Sequence, residues 1–190
     1  QYGIPPLRPF FSRAIGLDKN AQPIPILYGA RLSGNLTEKT RVGVMNMQTL
    51  RKGDYSGQNF TAASVHRQFG SRSVIKGYFL NRDATDPSKE TNMNPLDKYG
   101  RNTGLELNLT NSTGKHQLWA GYHTSIKEDI HDENNFYQIG YGHSSSLYEG
   151  IIDFDNVGKN YYADMGFVNR IETFAQLGDS YDYADTTYRG

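Results

Sequence analysis

Residues 105–110 read Leu105-Glu106-Leu107-Asn108-Leu109-Thr110, three leucines at every second position with a carboxylate, an amide and a hydroxyl between them. In an extended chain successive side chains point to opposite faces, so this run is apolar on one side and polar on the other. Runs of the same kind lie on both sides of it. Tyr137, Ile139 and Tyr141 alternate with Gln138, Gly140 and Gly142; Tyr148, Gly150, Ile152 and Phe154 alternate with Glu149 and Asp153. Nearer the N-terminus, Ile26, Tyr28, Ala30 and Leu32 share a face, with Arg31 and Ser33 on the other. Period 2 predicts eight strands in all, over residues 26–36, 41–49, 60–69, 73–82, 103–110, 116–126, 135–143 and 146–154. In the second, the pattern puts Gly43, Met45 and Met47 outward and Val42, Val44, Asn46 and Gln48 inward. In the third, Arg67 shares a face with Ala63, Val65 and Phe69, where a long stem suits a membrane boundary.

The links between these runs alternate in length. Those at 37–39, 70–72, 111–114 and 144–145 are short; those at 50–59, 83–102 and 127–134 are longer. Outer-membrane barrels have this asymmetry, with short periplasmic turns and longer external loops. A β-sandwich has no physical reason to keep it, since its long connections follow crossovers between sheets. Runs near ten residues also suit a tilted crossing of the hydrocarbon layer. The fold expected is therefore all-β, an antiparallel transmembrane β-barrel. If short links face the periplasm, the first run travels inward, which predicts strands before residue 1 and a segment of about eight strands from a larger barrel. Residues 1–25, with five of the seven prolines, are then a Pro-rich loop or the approach to a strand. Residues 26–154 hold the barrel strands, and 155–190 a polar, Tyr-rich loop or the start of further strands.

Composition fits this and excludes several alternatives. The 190 residues carry 20 basic and 20 acidic side chains, so no basic surface argues for nucleic acid. Cysteine is absent, which rules out disulfides, thiolate metal sites and a Cys nucleophile. No apolar stretch approaches the roughly 18 residues of a membrane-spanning helix, a limit that does not bear on barrel strands. Residues 1–10 lack the basic and apolar regions of a signal peptide.

A family resemblance rests on particular residues. Pro9-Phe10-Phe11-Ser12-Arg13 and Ile15-Gly16-Leu17 are followed by Ile24-Pro25-Ile26-Leu27, Gly29-Ala30 and Leu32-Ser33-Gly34. Val42-Gly43-Val44, Asn46, Gln48-Thr49 and Asn59-Phe60-Thr61 come next, then Val65, Arg67, Phe69-Gly70, Ser71-Arg72-Ser73 and Asn81-Arg82, with Gly166-Phe167-Val168 and Arg170 near the end. The chain resembles the uncharacterised outer-membrane family whose barrel domain usually follows a family-9-like carbohydrate-binding sandwich. The likeness is dense over the first 82 residues and returns at 164–170; Ala14 and Asn169 stand where the family usually has Arg and Pro. It implies a porin-like, Gram-negative outer-membrane protein with a signal peptide and a periplasmic sandwich ahead of the barrel. Lipid bilayer and lipopolysaccharide are the implied partners, with other outer-membrane proteins or glycans beyond them. Some members are labelled membrane-associated hydrolases, but the resemblance supplies no catalytic motif.

Candidate site residues are few. Arg31, Lys76, Glu106, Asn108, Glu149 and Asp153 are expected on the lumenal face, where an inward salt-bridge ladder explains the charges without catalysis. Glu106, Glu149 and Asp153 are also the carboxylates a glycan hydrolase would use, two of them roughly 5–10 Å apart. No nucleophile–base arrangement, G-x-S-x-G or phosphate-cradling loop is visible, so the expectation is a protein that is not an enzyme. The five histidines, His66, His116, His123, His131 and His143, show no ligand spacing. Asp129, Asp132 and Glu133, and again Asp153 and Asp155 beside Asn156, are oxygen ligands that an external-loop calcium ion could use, but the 153–156 segment lacks the following Gly and distal Glu of a calcium loop, and neither metal nor cofactor is expected. Tyr28, Tyr78, Tyr122, Tyr137, Tyr141 and Tyr148 are candidates for aromatic girdles. Trp119 is placed opposite Leu118, Ala120 and Tyr122, the best single residue for sugar stacking. Two other classes stay open: a soluble or cell-surface carbohydrate-binding β-sandwich, and a hydrolase housed in a barrel.

Overall fold

The computed structural model describes residues 7–11, 15–17, 22–53, 55–86, 98–168, 172–177, 180–185 and 188–189. Thirteen strands follow in chain order: β1 (Leu7–Arg8), β2 (Ile26–Thr37), β3 (Thr40–Thr49), β4 (Gln58–Phe69), β5 (Ser73–Ala84), β6 (Tyr99–Thr110), β7 (His116–Ile126), β8 (Asn135–Ser144), β9 (Glu149–Val157), β10 (Phe167–Val168), β11 (Glu172–Leu177), β12 (Ser180–Asp185) and β13 (Tyr188–Arg189). No helix occurs among the described residues. The long strands β2 to β9 form one antiparallel meander in which each pairs with its neighbours in sequence. They overlie the eight alternating runs. β13 adds to β9, so among the described residues β2 and β13 are the two edges and the sheet does not close on itself. β1 pairs with β10 and β11 with β12 in separate two-stranded sheets. The short links stay tight where a residue takes a left-handed backbone: Gly70 (φ 57°) and Gly114 (φ 76°) serve β4–β5 and β6–β7.

The register divides the sheet into two chemically different faces. On one, Val42, Val65, Gly77, Leu105, Tyr122 and Tyr137 line up across six strands. Beside that row run Ile75, Leu107, Ala120, Ile139 and Phe154, then Leu109, Leu118, Tyr141 and Ile152. Among the described residues nothing covers this face: Leu32 is 78% exposed, Leu105 55%, Ile139 53% and Ile152 78%. Towards the long links this bare face turns polar. Asn46 donates to Asn59 (3.0 Å) and Thr61 (2.8 Å), Asn59 to Gln48 (3.0 Å), and Arg101 to Asn81 (3.0 Å).

The other face is covered at the long-link end, where Ile15, Phe60, Leu80 and Met165 are buried together against Met45, Met47, Ala62 and Tyr78. Three expectations change here. Met45 and Met47 lie on this covered face, while Val44 pairs with Leu32 and Ala63 on the bare one. Both halves of β3 are apolar, so alternation alone left its sense undetermined; pairing with unambiguous neighbours sets it. Ile26 leaves the row of Tyr28, Ala30 and Leu32, because a register shift sets it opposite Thr49, a residue of the covered face. Tyr78 also belongs to the covered face, hydrogen-bonded to His123, and is not a girdle residue.

Candidate functional site under the strap

After β9 the chain turns back and crosses the covered face as a strap over residues 158–168. Backbone bonds start it: Gly158 N–H donates to Asn135 C=O (2.8 Å) and Asn160 N–H to Glu133 C=O (2.9 Å). The next contacts step from strand to strand. The Tyr161 ring meets Phe136 of β8, the Tyr162 N–H donates to Ser125 Oγ of β7 (3.1 Å), and Asn102 of β6 donates to the Tyr162 carbonyl (2.6 Å). Asp164 reaches Arg82 of β5, and Met165 joins Phe60 of β4 in the apolar cluster. At its far end the Phe11 N–H donates to the Met165 carbonyl, and β1 pairs with β10.

Asp164 is the polar anchor. Its Oδ1 accepts from Arg82 Nη2 (2.8 Å), Arg82 Nε (3.2 Å) and Lys127 Nζ (2.8 Å), with side-chain exposures of 9%, 11% and 4% for Asp164, Arg82 and Lys127. Gly100 makes room, since a Cβ there would overlap the Asp164 carboxylate. Deeper in, the Tyr78 hydroxyl and His123 Nδ1 are 2.7 Å apart, and the His123 ring lies against Phe136. A Cβ at Gly104 would overlap both His123 and Tyr78. Burial pushes the Tyr161 hydroxyl up to about 12. Among the described residues His123 Nε2, Asn102 Oδ1 and Asp164 Oδ2 are buried without a hydrogen-bond partner, three polar atoms of one region that water is suited to bridge.

The register puts Arg31, Lys76, Glu106, Asn108, Glu149 and Asp153 on this same face. Only some of them touch. Lys76 Nζ and Glu106 Oε2 form a half-exposed cross-strand pair at 3.2 Å, worth at most about 1 kcal/mol. Asn108 Oδ1 accepts from Gln117 (3.1 Å) and Thr110 (3.2 Å). Asp153 pairs with Gly140, and Arg31 with Met45. Trp119 shares the face and lies over Gly140, where a Cβ would overlap its ring; Gly142 is close beside it. The indole thus fills a two-glycine slot and is half-buried.

The acidic residues near 130 hold the root of the strap. Glu133 pairs with Lys159 (2.7 Å) and Asp132 accepts from Asn160 (3.1 Å through its carbonyl, 3.4 Å through Oδ1), while Glu128 pairs with exposed Lys98 (2.7 Å), whose ammonium it holds above its ordinary range. Among the described residues no three His, Asp or Glu side chains converge as a metal site. The sequence reading missed Arg82, Lys127 and Asp164, because Asp164 meets partners 82 and 37 residues away and no local pattern marks them. The glycines opposite large side chains were the only visible signal, and a Gly alone does not say what approaches it. Compared with protein-family models, curated proteins and solved structures, the chain matches none.

Proposed function

We propose that this chain is part of a transmembrane β-barrel of a Gram-negative outer membrane, serving as channel, anchor or assembly component and carrying no catalytic residues of its own. The observation that carries the reading is the bare apolar face. Exposed patches of that extent on a protein in water mark a surface that meets lipid or another apolar partner. Here the apolar residues run strand after strand, bounded towards the long links by an amide and hydroxyl ladder, as a lipid-facing band meets headgroups. The long strands, 9 to 12 residues each, match the length of a tilted crossing. Further strands, from the same protein or a partner, would complete the wall beyond the edges. The resemblance to the outer-membrane family points the same way and makes lipid and lipopolysaccharide the surroundings. On this reading the long links face outside, and the strap narrows the external mouth while Arg31, Lys76, Glu106 and Asn108 line the wetter half below. A carbohydrate-binding sandwich would need a second layer over Leu105, Leu107 and Leu109.

Flotation tests the proposal. Purified protein diluted from detergent into preformed lipid vesicles is expected to float with them in a density gradient and to resist extraction at alkaline pH. A monodisperse, folded monomer in plain buffer with no vesicle association would overturn it.

A further inference from the structure

The structure assigns a second feature that does not depend on the barrel reading: His116 and His143 form a site for one divalent transition-metal ion. The two lie directly opposite each other on β7 and β8, although 27 residues separate them in sequence. Their Nδ1 atoms are 3.3 Å apart and their ring planes are inclined by 58°. Two imidazole nitrogens bound to one tetrahedral ion at about 2.0–2.1 Å sit roughly 3.3–3.4 Å from each other. The observed spacing is that of a bidentate grip. The third group present is Tyr141, whose hydroxyl is 2.6 Å from His116 Nδ1.

Hydrogen bonding alone leaves this group unsatisfied, while ligation through Nδ1 puts each ring proton on Nε2, which at His143 is buried without a partner among the described residues. Tyr141 Oη and His143 Nδ1 both approach His116 Nδ1, at 2.6 and 3.3 Å. His116 Nδ1 has a single in-plane position, which serves either as donor or as acceptor. It cannot satisfy Tyr141 and His143 together with full-strength bonds. An ion bound between the rings uses both nitrogen lone pairs at once, leaving the phenol as a neighbour or third ligand and water for the remaining positions. The site is also held in advance. The His143 ring stacks on Tyr148 (4.8 Å, 25°), and the Ser145–Tyr148 turn is closed by backbone and hydroxyl bonds of 2.9 and 3.0 Å. On the other strand, Asn111 Oδ1 accepts from the His116 N–H (3.2 Å). His116 is exposed and opens β7 at the short-link end of the bare face, so on the proposed reading it meets the water boundary and not the acyl layer. Neutral imidazole donors with no thiolate suit Cu(II) first, then Ni(II) and Zn(II).

The test is Cu(II) titration of detergent-solubilised, tag-free protein, followed by electron paramagnetic resonance. One saturable equivalent with nitrogen coupling is expected, removed by a strong chelator and retained against equimolar Zn(II). His116→Ala and His143→Ala should each weaken binding by roughly tenfold or more, while His131→Ala leaves it unchanged. Circular dichroism of metal-free variants separates ligand loss from misfolding, and His143→Asn, which keeps a polar group in the turn, gives a second reading. Less than one equivalent in the wild-type protein, or unchanged affinity in the His116→Ala/His143→Ala double variant, overturns the assignment. Vesicle flotation is indifferent to either result.

Discussion

Replacing Leu105 with Arg separates a lipid-facing wall from a water-facing one. Leu105 is the seventh of the twelve residues of β6, so either end of the strand is about 20 Å away along the chain. An Arg stem is too short to carry its charge that distance to a headgroup. The positions directly opposite are Gly77 and Tyr122, and Gly77 offers no side chain to shelter a guanidinium. In a bilayer the substitution should cost about 2–4 kcal/mol. In water the same change should stay within roughly 0.5 kcal/mol, because Leu105 is already 55% exposed and supports no core. The control is Asn108→Arg, on the opposite face, which gives up the bonds from Gln117 and Thr110 and should cost about 1 kcal/mol. Urea unfolding of the protein in lipid vesicles, followed by Trp119 emission, measures both. A Leu105→Arg variant as stable as wild type, or an Asn108→Arg variant equally damaged, would refute the face assignment and the membrane reading with it.

Other consequences concern the strap and the packing beneath it. Asp164→Ala leaves Arg82 and Lys127 buried without their shared carboxylate and should destabilise the strap by about 3–5 kcal/mol, read as faster amide exchange at Tyr161 and Tyr162. Unchanged exchange there would show that the ion cluster does not hold it. Gly140→Ala must push the Trp119 ring out of its slot, costing about 1–3 kcal/mol and shifting the indole emission to the red. Tyr161 sets an alkaline limit: its hydroxyl ionises near 10 in the unfolded chain and at about 12 when buried, so the unfolded state loses its proton first. Strap stability from this group is intact below about pH 10 and falls as pH rises towards 12. Tyr161→Phe should flatten that part of the stability curve, and an unchanged slope would exclude Tyr161 as its source.

Much of the architecture was written in local pattern. Leu105, Leu107 and Leu109 against Glu106, Asn108 and Thr110 specify an extended strand with two unlike faces, because a strand's period of two acts residue by residue and needs no partner. The alternation of short and long links likewise follows from local turn chemistry, and it predicted a chain of neighbouring antiparallel strands. Where both faces of a run were apolar, as at Met45 and Met47, or where a bulge intervened, as at Ile26, only pairing with adjacent strands set the orientation. The relations that make up the candidate sites were invisible for a related reason. Asp164 with Arg82 and Lys127, Tyr78 with His123, and His116 with His143 each join residues from different strands or from the strap. Their proximity depends on register and on a segment folding back across the sheet, quantities that the energy of the whole chain decides and no short window contains.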